Sequence, residues 1–330
     1  MRVPERLARL STLLALALGA ALGVGLLAGV GAGRVLDLLA AAGWWLVAVL
    51  AVHLVQIGLT GLAWREVALS DAPALPVFLA ARWLREGVNS LLPVLPVAGL
   101  LAAIRVLLRA GLALPEAVAA TLADTAVEIL TQIPFTLLGL ALLVLISGVG
   151  AVSVWMVVGL GVLCALGAVL VPAQRLGFAR LIERGAGRLG WAGRIDGLDA
   201  ALARIQRARG RLGRAAVWHL LAWGLGGAEV WLALRALGHP VGAAPALVVE
   251  SLGQAIRGAG FLVPGALGVQ EGGFILVCGL FGVPPALGLA LSLVKRLRDV
   301  AFGVPSLALW LALERRGGPR AVPSLETRLG

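Results

Sequence analysis

Long apolar runs alternate with short breaks that carry arginine, proline or glycine. Runs above about 18 residues predict membrane-spanning helices. On this pattern a first helix covers 11–30 and a second 43–63, followed by a polar break from Arg65 to Pro76. Residues 77–112 are interrupted by Arg82, Arg85, Pro93, Pro96 and Arg105, too often for one simple span. A long helix follows from Pro115 to Ile146, with a kink expected at Pro134. A turn at Ser147–Gly150 leads into a span over 151–172. Residues 173–214 are polar, and Leu198, Leu202, Ile205 and Leu212 mark a basic amphipathic helix on the membrane face within them. A further span covers 215–237, residues 243–282 are broken at Pro264, Gly265 and Gly268, and a last helix covers 285–314.

Composition fixes the class. Hydrophobic residues make up 60 % of the chain and its mean hydropathy is +0.98, which excludes a soluble domain. Strand alternation is missing, which argues against a β-barrel. The net charge of +11 comes from arginine in loops, the bias of cytoplasmic segments, and points to no nucleic-acid partner. Cys164 and Cys278 lie in apolar segments without metal spacing, so they read as buried thiols. Arg2, Arg6 and Arg9 before the first apolar run resemble a secretory signal, but the run is long enough to be a retained helix. Arginine-rich ends and the 173–214 loop place both termini in the cytoplasm.

The expected architecture is a single all-α transmembrane domain over 1–330. It has about six full spans and two re-entrant helical hairpins, with half-repeats at about 43–147 and 214–315. Leu91-Leu-Pro93 parallels Leu262-Val-Pro264, and the stretch from Gly111 to Ala117 parallels that from Gly279 to Ala286, pairing Pro115 with Pro284. Charge orientation makes the repeat inverted, an arrangement common in secondary transporters.

Candidate chemistry sits at helix mid-depth. Lys295 is the chain's one lysine, in Ser292-Leu-Val-Lys-Arg-Leu-Arg-Asp299. Ionisable groups at that depth need a polar interior or a partner. Asp124 and Glu128 lie one turn apart on one face, and Lys295 and Arg298 lie at matching depth in the other half. Lys295 is therefore expected to pair with Asp124 or Glu128, as a structural lock or as part of a substrate site. His53, His219 and Glu229 read as hydrogen bonders between helices.

Two stretches carry a resemblance. One is Arg82-Trp-Leu-Arg-Glu-Gly-Val-Asn-Ser-Leu-Leu-Pro-Val94, followed by Arg105. The other runs from Glu250 to Arg257, through Phe261-Leu-Val-Pro-Gly-Ala-Leu-Gly-Val-Gln-Glu-Gly-Gly273, to Asp299. Together they resemble the hopanoid-biosynthesis-associated membrane proteins of the lysylphosphatidylglycerol synthase transmembrane, or flippase-like, superfamily. The resemblance implies a lipid-handling protein of bacterial inner membranes. It matches Pro264, Gly265, Gly268, Gln270 and Glu271 to a second hairpin motif, and Asn89, Pro93 and Arg105 to a first. Where relatives carry Gln, Gly and an acidic residue, this chain has Pro96, Ala98 and Leu100.

The expected function is translocation or handling of an amphipathic lipid of hopanoid, phospholipid or polyprenyl type. The substrate-binding candidates are Asn89, Arg105, Asp124, Glu128, Arg257, Gln270, Glu271, Lys295 and Arg298. No catalytic constellation, metal site or cofactor motif is expected, and no phosphate-binding loop suggests use of ATP. Partners would be the membrane lipid and membrane proteins of lipid biosynthesis. A non-transporting scaffold and a lipid-modifying enzyme are the alternatives.

Overall fold

A computed structural model describes residues 42–68, 72–91, 98–148, 197–259 and 268–316, with the single positions 33, 37, 40 and 266. The expected helices at 11–30 and 151–172, most of the basic loop, and Pro93, Pro96, Pro264 and Gly265 lie outside these residues. Among the described residues the regular structure is helical: α1 Trp45–Val67, α2 Leu75–Leu91, α3 Ala98–Arg109, α4 Leu114–Ser147, α5 Leu198–Arg207, α6 Arg209–Ala236, α7 Ala243–Ala259, α8 Val269–Gly279 and α9 Pro285–Arg316.

Burial is inverted relative to a soluble protein. Leu145, Leu276 and Leu54 are 81 %, 67 % and 60 % exposed, whereas Asp124, Glu229 and Lys295 are at most 1 % exposed. In water this would waste apolar surface and strand charge; in a bilayer it puts hydrocarbon against lipid and charge against charge. Helices α1, α4 and α6 are long and apolar enough to cross a membrane. Helix α9 has 32 residues but carries the Lys295–Asp299 cluster.

Among the described residues, most expected boundaries hold to within a few residues. In the interrupted segment 77–112 the described residues form two helices, α2 and α3, on either side of 92–97. The amphipathic helix stops at Arg207, and α6 begins at Arg209 rather than 215. Arg211 and Arg214 therefore belong to the first turns of a spanning helix. There they bond the Ala68 carbonyl at 2.7 Å and Glu66 at 3.0 Å, which ties α6 to the end of α1. Arg65 does not break α1, which runs on to Val67 with Arg65 exposed.

The order of helix lengths recurs: 23, 17, 12 and 34 residues in α1–α4, then 28, 17, 11 and 32 in α6–α9. Packing follows the same exchange. Helix α2 lies on α9 as α7 lies on α4; α2 packs on α3 as α7 packs on α8; α1 and α6 face each other. The turns before the long helices are alike in detail. Gly111 (φ 96°) and Gly282 (φ 72°) occupy the left-handed region that glycine tolerates. The following amides, Leu112 and Val283, each donate back to a helix carbonyl, Leu107 and Cys278, at 3.2 Å. These bonds satisfy helix ends before a proline-led restart. The turn at Gly111 is thus matched by the one at Gly282 rather than at Gly279, and Pro285 begins α9 as Leu114 begins α4.

Close approach is built with small residues. A Cβ on Gly87 of α2 would lie 3.0 Å from the Gly303 Cα of α9, backbone against backbone. Replacing Gly87 by valine is expected to force these helices apart and cost about 1–3 kcal/mol, the range for overpacking. A fall in thermal stability in detergent checks this.

Candidate functional site

The charged residues form two clusters, each tying a shorter helix to a long one. In the first, Arg82 and Arg85 stand one turn apart on α2 and face Asp124 and Glu128 on α4. Arg82 grips Glu128 with two bonds, Nη1–Oε2 3.0 Å and Nη2–Oε1 2.5 Å. Arg85 bridges the acids, donating to Asp124 at 3.1 Å and to Glu128 at 2.9 Å. His219 of α6 meets the other Asp124 oxygen at 3.0 Å. Forked guanidinium–carboxylate pairing of this kind satisfies most of the lone pairs that burial removes from water.

In the second cluster the charges change places. Helix α7 starts 168 residues after α2 (75 and 243), which puts Glu250 at the position of Arg82. Helix α9 starts 171 residues after α4 (114 and 285), which puts Lys295 at the position of Asp124. The pair is kept and its polarity reversed: Lys295 Nζ lies 2.8 Å from Glu250 Oε2. It is also 3.4 Å from Glu229 on α6 and 5.8 Å from the centre of the Phe274 ring. Arg298 donates to both Glu229 oxygens at 2.8 and 2.7 Å and to Asp299 at 2.6 Å.

Lys295 was expected to pair with Asp124 or Glu128. The structure gives it Glu250 and Glu229 instead. Two guanidinium groups already hold Asp124 and Glu128, and the nearest carboxylates to Lys295 come from α7 and α6.

Between the clusters lies a polar cavity of about 230 Å³, lined from α1, α2, α4, α6, α7 and α9. Four sequence candidates reach it: Asn89, Glu128, Arg257 and Arg298. Asp124 and Lys295 stand behind it, each bonded to a residue of the lining or of its supporting cluster. Arg257 is the least committed cation of the wall, with a side chain 33 % exposed and Asp299 at 3.7 Å.

Three candidates lie elsewhere. Arg105 is exposed, with its guanidinium 5.7 Å from the Trp310 ring centre. Gln270 donates to Ser292 at 3.2 Å. Glu271 caps α8: its carboxylate accepts the Gly268 amide at 2.7 Å and pairs with Arg296. Gly268 (φ 74°) makes the turn into the helix that this cap closes. Glu271→Gln keeps an acceptor at that spot, whereas Glu271→Ala leaves the amide bare. The alanine variant is expected to lose about 1–2 kcal/mol in detergent unfolding, and the glutamine variant less than half of that.

The sequence reading missed His53, Glu86, Gln254 and Glu250 as cavity residues, and took Arg82 and Arg85 as interruptions and as part of a family-like motif, not as site residues. Their signal was present in the spacing. Arg82 and Arg85 share a face with Glu86 and Asn89, one turn apart in an otherwise apolar helix. His53, His219 and Glu229 do bond between helices, as expected.

Buried charge, lipid-facing leucines and long apolar helices define an α-helical membrane protein with a polar interior. The sequence profile of the lysylphosphatidylglycerol synthase TM region matches residues 12–306, and the chain belongs to that family. No curated protein and no solved structure matches the chain.

Proposed function

We propose that this protein translocates an amphipathic lipid across the bacterial inner membrane, its polar headgroup passing through the central cavity. The observation that carries the reading is the cavity itself. It draws on both helix sets, and it offers hydrogen-bonding groups of both signs inside a shell of lipid-facing leucine. The family assignment supports a lipid-related role.

On this reading the two helix sets are inverted repeats and the pairs α2/α3 and α7/α8 are re-entrant hairpins. Helices of 12 and 11 residues span only about 18 Å, too short for a core of about 30 Å. A hairpin that enters and returns removes that problem. Interruptions at membrane depth suit a site buried in protein. Both termini face the cytoplasm, and membrane proteins of lipid biosynthesis would deliver or receive the lipid. The role is transport rather than catalysis.

The test is a liposome assay with purified protein and fluorescent lipids, read by loss of the fraction protected from an impermeant quencher. Separate arms carry a phospholipid, a hopanoid-type and a polyprenyl-type lipid. Faster equilibration in at least one arm is expected. Equal protection with and without protein in all three would instead favour a scaffold for a lipid-synthesis complex.

A further inference from the structure

The cavity holds a charge imbalance that one proton removes. Among the described residues, five cations stand around it and directly behind it: Arg82, Arg85, Arg257, Lys295 and Arg298. Six carboxylates oppose them: Glu86, Asp124, Glu128, Glu229, Glu250 and Asp299. One excess negative charge in a buried site is costly unless a proton or a cation neutralises it.

Five of these carboxylates touch a guanidinium or an ammonium group. Arg85 holds Asp124, Arg82 and Arg85 hold Glu128, Arg298 holds Glu229 and Asp299, and Lys295 holds Glu250. At Glu86 the partner is an imidazole, His53 Nε2 at 3.0 Å.

The other nitrogen of that ring also meets oxygen. His53 Nδ1 lies 3.0 Å from Gln56 Oε1. The Gln56 amide cannot turn over to relieve this, because its Nε2 donates to the Ala222 carbonyl at 3.0 Å. A neutral imidazole has one N–H; with it on Nδ1 for Gln56, the Nε2 lone pair stands 3.0 Å from a carboxylate oxygen. The contact at Nε2 is an ion-pair approach rather than a formed hydrogen bond, and the carboxylate standing there favours one more proton, shared as imidazolium and carboxylate or as imidazole and carboxylic acid. His219 makes the contrast. Its Nε2 faces an Asp124 that Arg85 also holds, and a neutral tautomer with the proton on Nε2 is enough there.

We propose that His53 and Glu86 bind one exchangeable proton, which sets the charge of the cavity. With the proton bound, the network is neutral. Released to water in the cavity, it leaves a neutral His53 donating to Gln56 and an ionised Glu86, whose side chain is 28 % exposed and free to meet a cationic group. The charges that act on the pair are Arg82 from α2, Arg298 and Asp299 from α9, and Glu229 from α6. Glu128 of α4 and Glu250 and Arg257 of α7 complete the wall, each with an ionic partner of its own. The Phe302 ring packs edge-on against His53 with centroids 4.9 Å apart and covers its far side.

The chain has three histidines, so nitrogen-15 spectra of the histidine-labelled full chain in lipid nanodiscs are simple. His53→Gln assigns one set by its loss. As the pH is raised, the His53 signals are expected to pass through a single one-proton transition, from a ring engaged in proton binding at both nitrogens to a neutral ring. Glu86→Gln is expected to lower the proton affinity of His53 at least tenfold, and His219→Gln to change it less than twofold. A His53 with one N–H at every pH, or one that never loses its second proton, overturns the proposal; so does an unchanged affinity in Glu86→Gln. The wild-type titration decides even if a variant fails to fold. No transported lipid is needed, so failure here is distinct from failure of the translocation reading.

Discussion

Replacing Lys295 by methionine is expected to destabilise the protein by about 3–5 kcal/mol, the range for stranding one member of a buried ion pair. The side chain is 1 % exposed and lies 2.8 Å from Glu250, itself 2 % exposed. Without the ammonium, Glu250 keeps the Gln254 amide at 2.9 Å but no opposing charge in contact. Glu229 is less affected, because Arg298 grips both of its oxygens. Adding Glu250→Gln to Lys295→Met is therefore expected to restore most of the loss, since removing both charges of a buried pair is often near neutral. Adding Asp124→Asn is expected to worsen it, because Asp124 serves Arg85 and His219. Thermal unfolding of the three variants in detergent separates the pairings. Rescue by Asp124→Asn, and not by Glu250→Gln, would overturn the pairing seen here.

The second large effect concerns transport. Arg257→Gln is expected to slow lipid equilibration in liposomes about tenfold or more while changing stability by less than 1 kcal/mol. Its nearest carboxylate is 3.7 Å away and a third of the side chain is exposed, so little folding energy rests on it. A charge-assisted hydrogen bond to an anionic group is worth about 1.5–3 kcal/mol, which corresponds to roughly tenfold or more in binding. Unchanged equilibration in Arg257→Gln, with Arg298→Gln also silent, would remove the cavity from the lipid path. Arg298→Gln alone is the poorer probe, because Arg298 also anchors Glu229 and Asp299.

The sequence by itself determined what depends on local periodicity and local chain chemistry. Apolar runs gave helices α1 and α4 within a few residues, and α6 apart from its first turns, because length and hydrophobicity are properties of one segment. The frequent charges and prolines of 77–112 argued against one simple span, and the described residues there form two helices, α2 and α3. The family resemblance was legible for a similar reason, since the motifs are contiguous. The importance of burial was legible too: Asp124, Lys295 and Arg298, singled out as charges in apolar helices, are buried.

Only the tertiary structure decided which charges meet. Pairing between helices depends on which faces pack, and a segment's own period does not carry that information. Asp124 and Lys295 do hold equivalent positions 171 residues apart, yet equivalence placed them in separate clusters rather than in contact. Arg82 and Glu250 supplied the partners, with polarity reversed between the two helix sets. Glu271 shows the opposite limit. Gly268 and Glu271 are three residues apart, the spacing of a helix cap, and the fold uses the carboxylate there and against Arg296 rather than in the cavity. His53 shows it again: one helix supplies the imidazole, a second the carboxylate and a third the carbonyl that fixes Gln56, and only their packing makes a site for a proton.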